Sequence, residues 1–458
     1  MRERRFSPAS YWGGPSSALP ERKQTILKMT RMSTNLGVDG GRLWADIMAL
    51  ANITDAAAPY TRRSFSKLFL DGRQWLTHRF HESGLATRID TAGNLIGRIE
   101  GSDPQAGTII IGSHSDTVPS GGRFDGIAGV AAGLEIARVL RERNIVLRHA
   151  LEIIDFLAEE PSEYGVSCVG SRGMSGKLTA AQLQFSNQQG ERLEQALARV
   201  GGDASRLAQA RRTDIRAAFE LHIEQGTVLE GGGIDVGLVT AIVGITRIEI
   251  VFEGAAGHAG ATPMHRRHDA LVAAARLVDR VRILAEEFAG RGKGYFVATT
   301  GVLEAKPNAS NVIPGTARLV IDARSELRED LVEFRERLDK ESLGVAQAAS
   351  VERAAFQTLS DALPSACDEG LRHLLKAAAA RLGLSFVDIA SGAGHDAAFL
   401  SQIAPAAMVF IACKEGASHC PEEWSEPEEI TAGTAVILEA VLAFDRGEDQ
   451  SFVPAAPH

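Results

Sequence analysis

Four short apolar runs in this chain stop at an imidazole or at paired acids, and this constrains the fold more than any other feature. The runs are "GTIIIGSH", ending on His114; "LEIIDFLAEE", ending on Glu159 and Glu160; "AAFELH", ending on His222; and "AAMVFIAC", with His419 in the loop beyond it. Runs of this length between Gly-rich or polar loops read as strands. The first is followed by "SDTVPSGGRFDG", which adds Asp116 and Asp125, and then by "IAGVAAGLEIARVLRERNI", which has helical spacing. Strand–loop–helix alternation implies an α/β domain with a largely parallel sheet. In such sheets catalytic groups gather at the carboxyl ends of strands.

At 458 residues the chain exceeds one ordinary core, so two domains are expected. "GGRLWADIMALANI" and "SFSKLFLDGRQWLTHRFHES" read as helices that precede the first strands. After "DVGLVT" the pattern changes. "AIVGITRIEIVFEG" and "GTARLVIDARSE" alternate like half-buried strands, and the helices "HDALVAAARLVDRVRILAEEFAG" and "REDLVEFRERLDKESLG" follow them in turn. These two strand–helix units predict an inserted α+β domain over residues 242–355. Residues 32–241 and 356–446 would then form the catalytic domain. The Arg-, Ser- and Pro-rich residues 1–31 read as a loosely ordered extension, and 447–458 as a tail.

Bulk properties remove several function classes. Apolar content of 45% with 23% charged residues indicates a globular protein. A net charge of −9 argues against nucleic acid as a partner. No apolar run reaches the ~18–20 residues of a membrane span. The N-terminus lacks the apolar region of a secretory signal. Cys168, Cys367, Cys413 and Cys420 match no disulfide or metal spacing, which suits a reducing, cytoplasmic setting.

The strand-end residues carry the chemistry. Adjacent Glu159 and Glu160 would face opposite sides of a strand, but a turn could bring both into one cleft. There they would repel each other unless a cation or proton offset them; alone, the pair reads more readily as a solvated acidic loop. His114, Asp125, Glu160, His222 and His419 together form a donor set suited to Zn²⁺, Mn²⁺, Co²⁺ or Ni²⁺ rather than Ca²⁺ or Mg²⁺. A bridging Asp would hold two ions ~3.5–4 Å apart, as in two-metal hydrolases.

The motif order resembles the dinuclear M20 metallopeptidase superfamily. The closer resemblance is to its hydantoinase/carbamoylase branch, which includes N-carbamoyl-L-amino acid hydrolases, β-ureidopropionase and allantoate amidohydrolase. "GGRFDG", "LHIEQG", "GHAGATPM", "NVIPG" and "SGAGHDA" all look like that branch, and the similarity runs from about residue 40 to 445. The segment after the paired acids, "PSEYGVSCVGSRGMSG", departs from the "GSRF"-type continuation of many relatives, and Ser115 stands where an apolar residue is common.

The resemblance implies two divalent metal ions per subunit. Asp125 would bridge them, His114 and His222 would complete one site, and Glu160 and His419 the other. Asp116 would hydrogen-bond His114 and fix its tautomer. Glu159 would be the general base. The insert would act as lid and dimerisation domain of a homodimer, with His258 supplied to the partner's site to stabilise an oxyanion. Gln225, Asn311, Arg324 and His395 would bind a small substrate carrying a carboxylate and a ureido or amide group, Arg324 being suited to the carboxylate. Residue by residue, simpler alternatives stand: Arg324 could pair with Asp322 or Glu326, His258 could be a turn residue, and Asn311 could cap a turn before Pro314. His265 and His268 read as surface residues, and His78, His81, His149 and His373 match no motif.

The implied reaction is hydrolysis of the ureido C–N bond of an N-carbamoyl-L-amino acid to amino acid, CO₂ and ammonia. Alternatives are an allantoate or other ureide amidohydrolase, and an M20 aminoacylase or dipeptidase.

Overall fold

Two runs of seven consecutive buried residues become neighbouring strands, β3 (Thr108–His114) and β4 (Ala150–Phe156). Strands buried on both faces need apolar side chains on both, which is why these runs do not alternate. The structure, a computed structural model, describes residues 37–448. The extension expected at 1–31 and most of the tail at 447–458 lie outside the described residues.

Helices α1 (Gly40–Ala51) and α2 (Lys67–Glu82) open the described chain. Each begins with a side-chain cap, from Asp39 to the Arg42 N–H and from Ser66 to the Phe69 N–H. Next come β1 (Ala86–Ile89), β2 (Leu95–Ile99), β3, then α3 (Ile127–Glu142) and β4. Later elements of the same sheet are β5 (Ile215–Ile223), β6 (Val236–Ile242), β13 (Ser365–Ala366), β14 (Phe386–Ser391) and β15 (Ala406–Ile411). The nine-stranded sheet runs β1-β2-β4-β3-β5-β15-β6-β13, with β14 also paired to β6. Its centre, β4-β3-β5-β15, is parallel, and antiparallel pairs flank it on both sides. Helix α3 is buried from Ile127 to Leu140 and packs into the main core with Leu221, Val409 and Val436.

A second, antiparallel sheet runs β12-β7-β11-β9, with β7 Gly244–Glu253, β9 Phe296–Lys306, β11 Thr316–Ser325 and β12 Glu352–Ala362. Along β7 and β11 every second residue is buried. Ile248, Ile250 and Phe252 join Leu319 and Ile321 against Leu277 and Leu284 of α4 (Ala270–Ala289) and Phe334 of α5 (Arg328–Ala348). This layer has four strands where the sequence predicts two. The boundary expected at 355 falls inside β12, whose register on β7 continues to Ala362. β12 escapes periodicity because it is an edge strand with mostly exposed residues, as in "QTLSDA". A two-residue ladder, β8 (Gly257–His258) with β10 (Val312–Ile313), lies beside this layer in sequence.

Among the described residues no helix is long and apolar enough to cross a membrane. All four cysteines are free.

Candidate active site

Parallel pairing puts the carboxyl ends of β3, β4, β5 and β15 at one edge of the sheet. His114 is the last residue of β3 and His222 lies one residue from the end of β5. Both are buried, each 1% exposed. His114 Nδ1 lies 3.0 Å from the Asp116 carbonyl oxygen, and His222 Nδ1 lies 3.0 Å from that of Ile223. A carbonyl only accepts, so both Nδ1 atoms donate, and each Nε2 points the other way. Both Nε2 atoms face Asp125 Oδ1, at 3.4 and 3.1 Å.

The other oxygen of Asp125 faces a different group. His419 Nε2 is 3.2 Å from Asp125 Oδ2 and 3.0 Å from Glu160 Oε1. The sheet edge therefore carries two donor groups, His114–Asp125–His222 and Asp125–Glu160–His419, each with ligand atoms within 4.8 Å of one another. Asp125 belongs to both. The first group is fully buried, whereas the His419 side chain is 49% exposed, so the second opens outward.

Local backbone geometry explains the convergence. Ala158 adopts a left-handed φ of +52°, which turns the chain at the end of β4 so that Glu159 and Glu160 both enter the cleft. Their N–H groups donate to the two oxygens of Asp116, each at 3.3 Å. The hydrogen bond expected between Asp116 and His114 is made by the Asp116 main chain. Its main-chain carbonyl orients His114, while its carboxylate lies 3.7 Å from His114 Nδ1 and holds the paired-acid turn instead. Gly126, at φ +67°, is required by the same packing, because a Cβ there would lie 2.4 Å from His114 Nε2.

Charge in the cluster is out of balance among its own side chains. Burial opposes ionisation of Asp125, but the imidazoles of His222, His114 and His419 hold it well below the usual carboxylate range. Burial disfavours charge on His114, yet Glu159, Asp125 and Asp116 outweigh it and raise its pKa well above the usual value. Hydrogen bonds to Asp125 and Glu160 push His419 up to about 11. Burial, with Glu160 nearby, pushes Glu159 well above the usual range and Asp116 up to about 7. Such a cluster demands positive charge between its carboxylates. His114 Nε2 is buried and has no hydrogen-bond partner. An unpartnered imidazole nitrogen among carboxylates fits a divalent cation, and the N/O donor set matches Zn²⁺-like ions.

The remaining expected residues divide into two sets. Gln225 lies at the cluster, where its Nε2 donates to Asp125 Oδ2 at 2.9 Å and to Ser418 Oγ at 3.0 Å. His395 is 2% exposed and packs edge-on to His222, ring centroids 4.5 Å apart, with Nε2 2.8 Å from Ser391 Oγ. Burial holds its pKa well below the usual value, so it is neutral. Arg324, on β11, donates from Nε to Asp322 and from Nη1 to the Gly392 carbonyl, both at 2.8 Å. The ion pair with Asp322, its simpler alternative reading, is thus present, and its fork also reaches the loop that carries His395. His258 and Asn311 sit together, the Ala259 N–H donating to the Asn311 carbonyl at 3.0 Å. Both are exposed, and their hydrogen bonds stay within their own ladder and turn.

Three supporting residues were missed in the sequence. Glu423, fully buried, accepts from the N–H groups of Phe124 at 2.7 Å and Asp125 at 3.0 Å. It also accepts from Ser418 Oγ at 3.2 Å. A Cβ on Gly122 would strike its carboxyl group at 1.8 Å. Beneath the imidazoles, Glu220 accepts from Ser113 Oγ at 2.8 Å, and Asp396 pairs with Ser171 Oγ. The only signal was the acid-rich "CPEEWSEP" after His419; Glu220 and Asp396 leave no trace beyond an acid in an apolar run or a Gly-rich loop.

Comparison with known proteins places the chain in context. The family described as Peptidase family M20/M25/M40 matches residues 110–443. An N-carbamoyl-L-amino acid amidohydrolase of Geobacillus stearothermophilus is 36% identical over 90% of this chain and 100% of its own. A ureidoglycolate hydrolase of Oryza sativa subsp. japonica is 33% identical over 88% of this chain and 84% of its own. The crystal structure of an amidase of the hydantoinase/carbamoylase family from Burkholderia multivorans superimposes with a TM-score of 0.82 at 35% identity, covering 89% of this chain and 98% of that one.

Proposed function

From a chain that belongs to peptidase family M20/M25/M40, we propose a metal-dependent amidohydrolase that cleaves the ureido C–N bond of N-carbamoyl-L-amino acids, yielding amino acid, CO₂ and ammonia. The observation that carries this reading is the division of Asp125, one oxygen toward each donor group. His114, Asp125 and His222 would hold one divalent ion (Zn, Mn, Co or Ni), and Asp125, Glu160 and His419 a second. When bound, such ions supply Lewis acidity and lower the pKa of water at the site.

The chain's own groups handle protons and orientation. Glu159 accepts a proton from the attacking water at Oε2, which lies 3.7 Å from His114 Nε2, and returns it to the leaving nitrogen. His258 Nδ1 accepts from the N–H groups of Gly260 and Ala261, both at 3.1 Å, so its proton resides on Nε2. That N–H is the donor suited to a developing oxyanion, offered to the partner's site in a cytoplasmic homodimer whose lid is the small layer. Arg324, with Asn311 and Gln225, binds the substrate, the guanidinium exchanging Asp322 for the substrate carboxylate. His395 shapes the pocket as a neutral ring.

Ureide hydrolysis, of allantoate or ureidoglycolate, is the second reading, favoured by the ureidoglycolate hydrolase relative. An assay of Mn²⁺-, Co²⁺- or Zn²⁺-loaded protein, reading ammonia from the ureido substrates and free amino acid from the N-acetyl ones, decides between them. The panel holds N-carbamoyl-L- and D-amino acids, allantoate, ureidoglycolate and N-acetyl amino acids. Turnover of the carbamoyl-L substrates is expected; turnover of a ureide alone moves the enzyme to the second reading, and turnover of N-acetyl substrates alone makes it an aminoacylase.

A further inference from the structure

The segment after the paired acids, "PSEYGVSC", has no part in the chemistry above, yet it folds back onto Glu159. Ser162 closes a tight turn, its N–H and hydroxyl both donating to the Val166 carbonyl. Tyr164 is buried edge-on against Phe65, and its hydroxyl donates to Glu191. The chain then reaches Cys168, buried, with a left-handed φ of +52°. That conformation suits glycine or asparagine, so cysteine is held there against local preference.

From this position Cys168 grips one residue twice. Its N–H donates to the Glu159 carbonyl at 3.0 Å. Its thiol lies 3.5 Å from Glu159 Oε1 and 3.7 Å from the Glu159 carbonyl oxygen, both within sulfur hydrogen-bond range. The other oxygen, Oε2, faces His114. Burial and the neighbouring Glu159 keep the thiol protonated, with its pKa well above the usual value, so it is a donor and not a thiolate. We propose that Cys168 is a positioning residue for the general base: its S–H fixes Oε1 of Glu159 so that Oε2 is the oxygen presented to the reacting water. An S–H donor is weak, but a misplaced base loses rate steeply with distance. This inference rests on Glu159 acting as the base.

The test compares Cys168→Gly, Cys168→Ala and Cys168→Ser with Glu159→Gln, each as the full-length, metal-loaded protein on whichever panel substrate turns over. Glycine relaxes the left-handed backbone while removing the donor, with Tm as the check on its fold; serine keeps a donor. The expected result is a roughly ten-fold lower kcat for glycine and alanine, with KM, metal content and Tm near wild type, and a serine variant within about two-fold of wild type. Equal loss in serine and glycine, or a wild-type kcat in glycine while Glu159→Gln is inactive, overturns the positioning role alone. An active Glu159→Gln variant overturns the base assignment and this inference with it.

Discussion

His114 and His222 are sealed in the large sheet, each fixed through Nδ1 to a carbonyl and each facing Asp125. His258 and Asn311, in contrast, lie open beside the small layer, and among the described residues no hydrogen bond reaches His258 Nε2 or the Asn311 side chain. Arg324 falls between these cases, half-buried and already hydrogen-bonded to the loop of His395. The difference separates two ways of building a site. Buried groups on rigid strand ends are pre-organised by the fold. Exposed groups on a separate layer become useful only when a substrate or another subunit arrives.

The largest effect expected on either side is at the sheet edge. Glu159→Gln should lower kcat by about 10³-fold while metal content stays at the wild-type value, checked by steady-state kinetics beside elemental analysis. Retained turnover would remove Glu159 from proton transfer.

His258→Ala comes next, with a kcat loss of about 10²–10³-fold and unchanged metal content. Mixing inactive His258→Ala and Glu159→Gln chains under verified subunit exchange should restore part of the activity, because one of the two mixed sites then has both groups. Absence of recovery would place His258 in its own chain's site and erase the contrast between the two regions.

Arg324→Ala should raise KM by about 10–100-fold for carboxylate substrates, the worth of a charged hydrogen bond, and much less for an amidated analogue. An equal effect on both would make the Asp322 pair structural only.

The smallest effect concerns the frame of the large sheet. Arg212 holds Asp214 well below the usual carboxylate range, with a further hydrogen bond from Thr108. A depressed carboxylate stabilises the fold above its unfolded pKa of about 3.9 and loses that contribution as pH falls through the folded value. Asp214→Asn should therefore cost about 1 kcal/mol or less at pH 7, and the gap to wild type should narrow below about pH 4. Urea midpoints at pH 7 and pH 3 measure this; a gap that widens in acid would contradict it.

The same contrast governs what could be read in the sequence. β3, β4, β5 and β15 were legible because strands buried on both faces are continuous apolar runs, and their terminal His114, Glu160 and His222 follow from where those runs stop. β12 was not, because an exposed edge strand has no apolar period. The convergence of Glu159 and Glu160 needed the left-handed turn at Ala158, which an alanine does not announce. That Asp116 meets His114 through its main-chain carbonyl was not legible, since only coordinates distinguish a main-chain acceptor from a side-chain one two residues from the imidazole. Glu423 acts across almost 300 residues of chain on Asp125, and no local pattern encodes such a contact.

Asp125 is the residue on which both donor groups depend, so the most direct measurement is the number of divalent ions bound per chain by wild type and by Asp125→Asn. Equilibrium dialysis against Zn²⁺ or Mn²⁺ followed by elemental analysis provides it. The account predicts two ions in the wild type and loss of tight binding at both sites in the variant. A wild type that binds one ion, or a variant that keeps two, would contradict a shared bridging carboxylate.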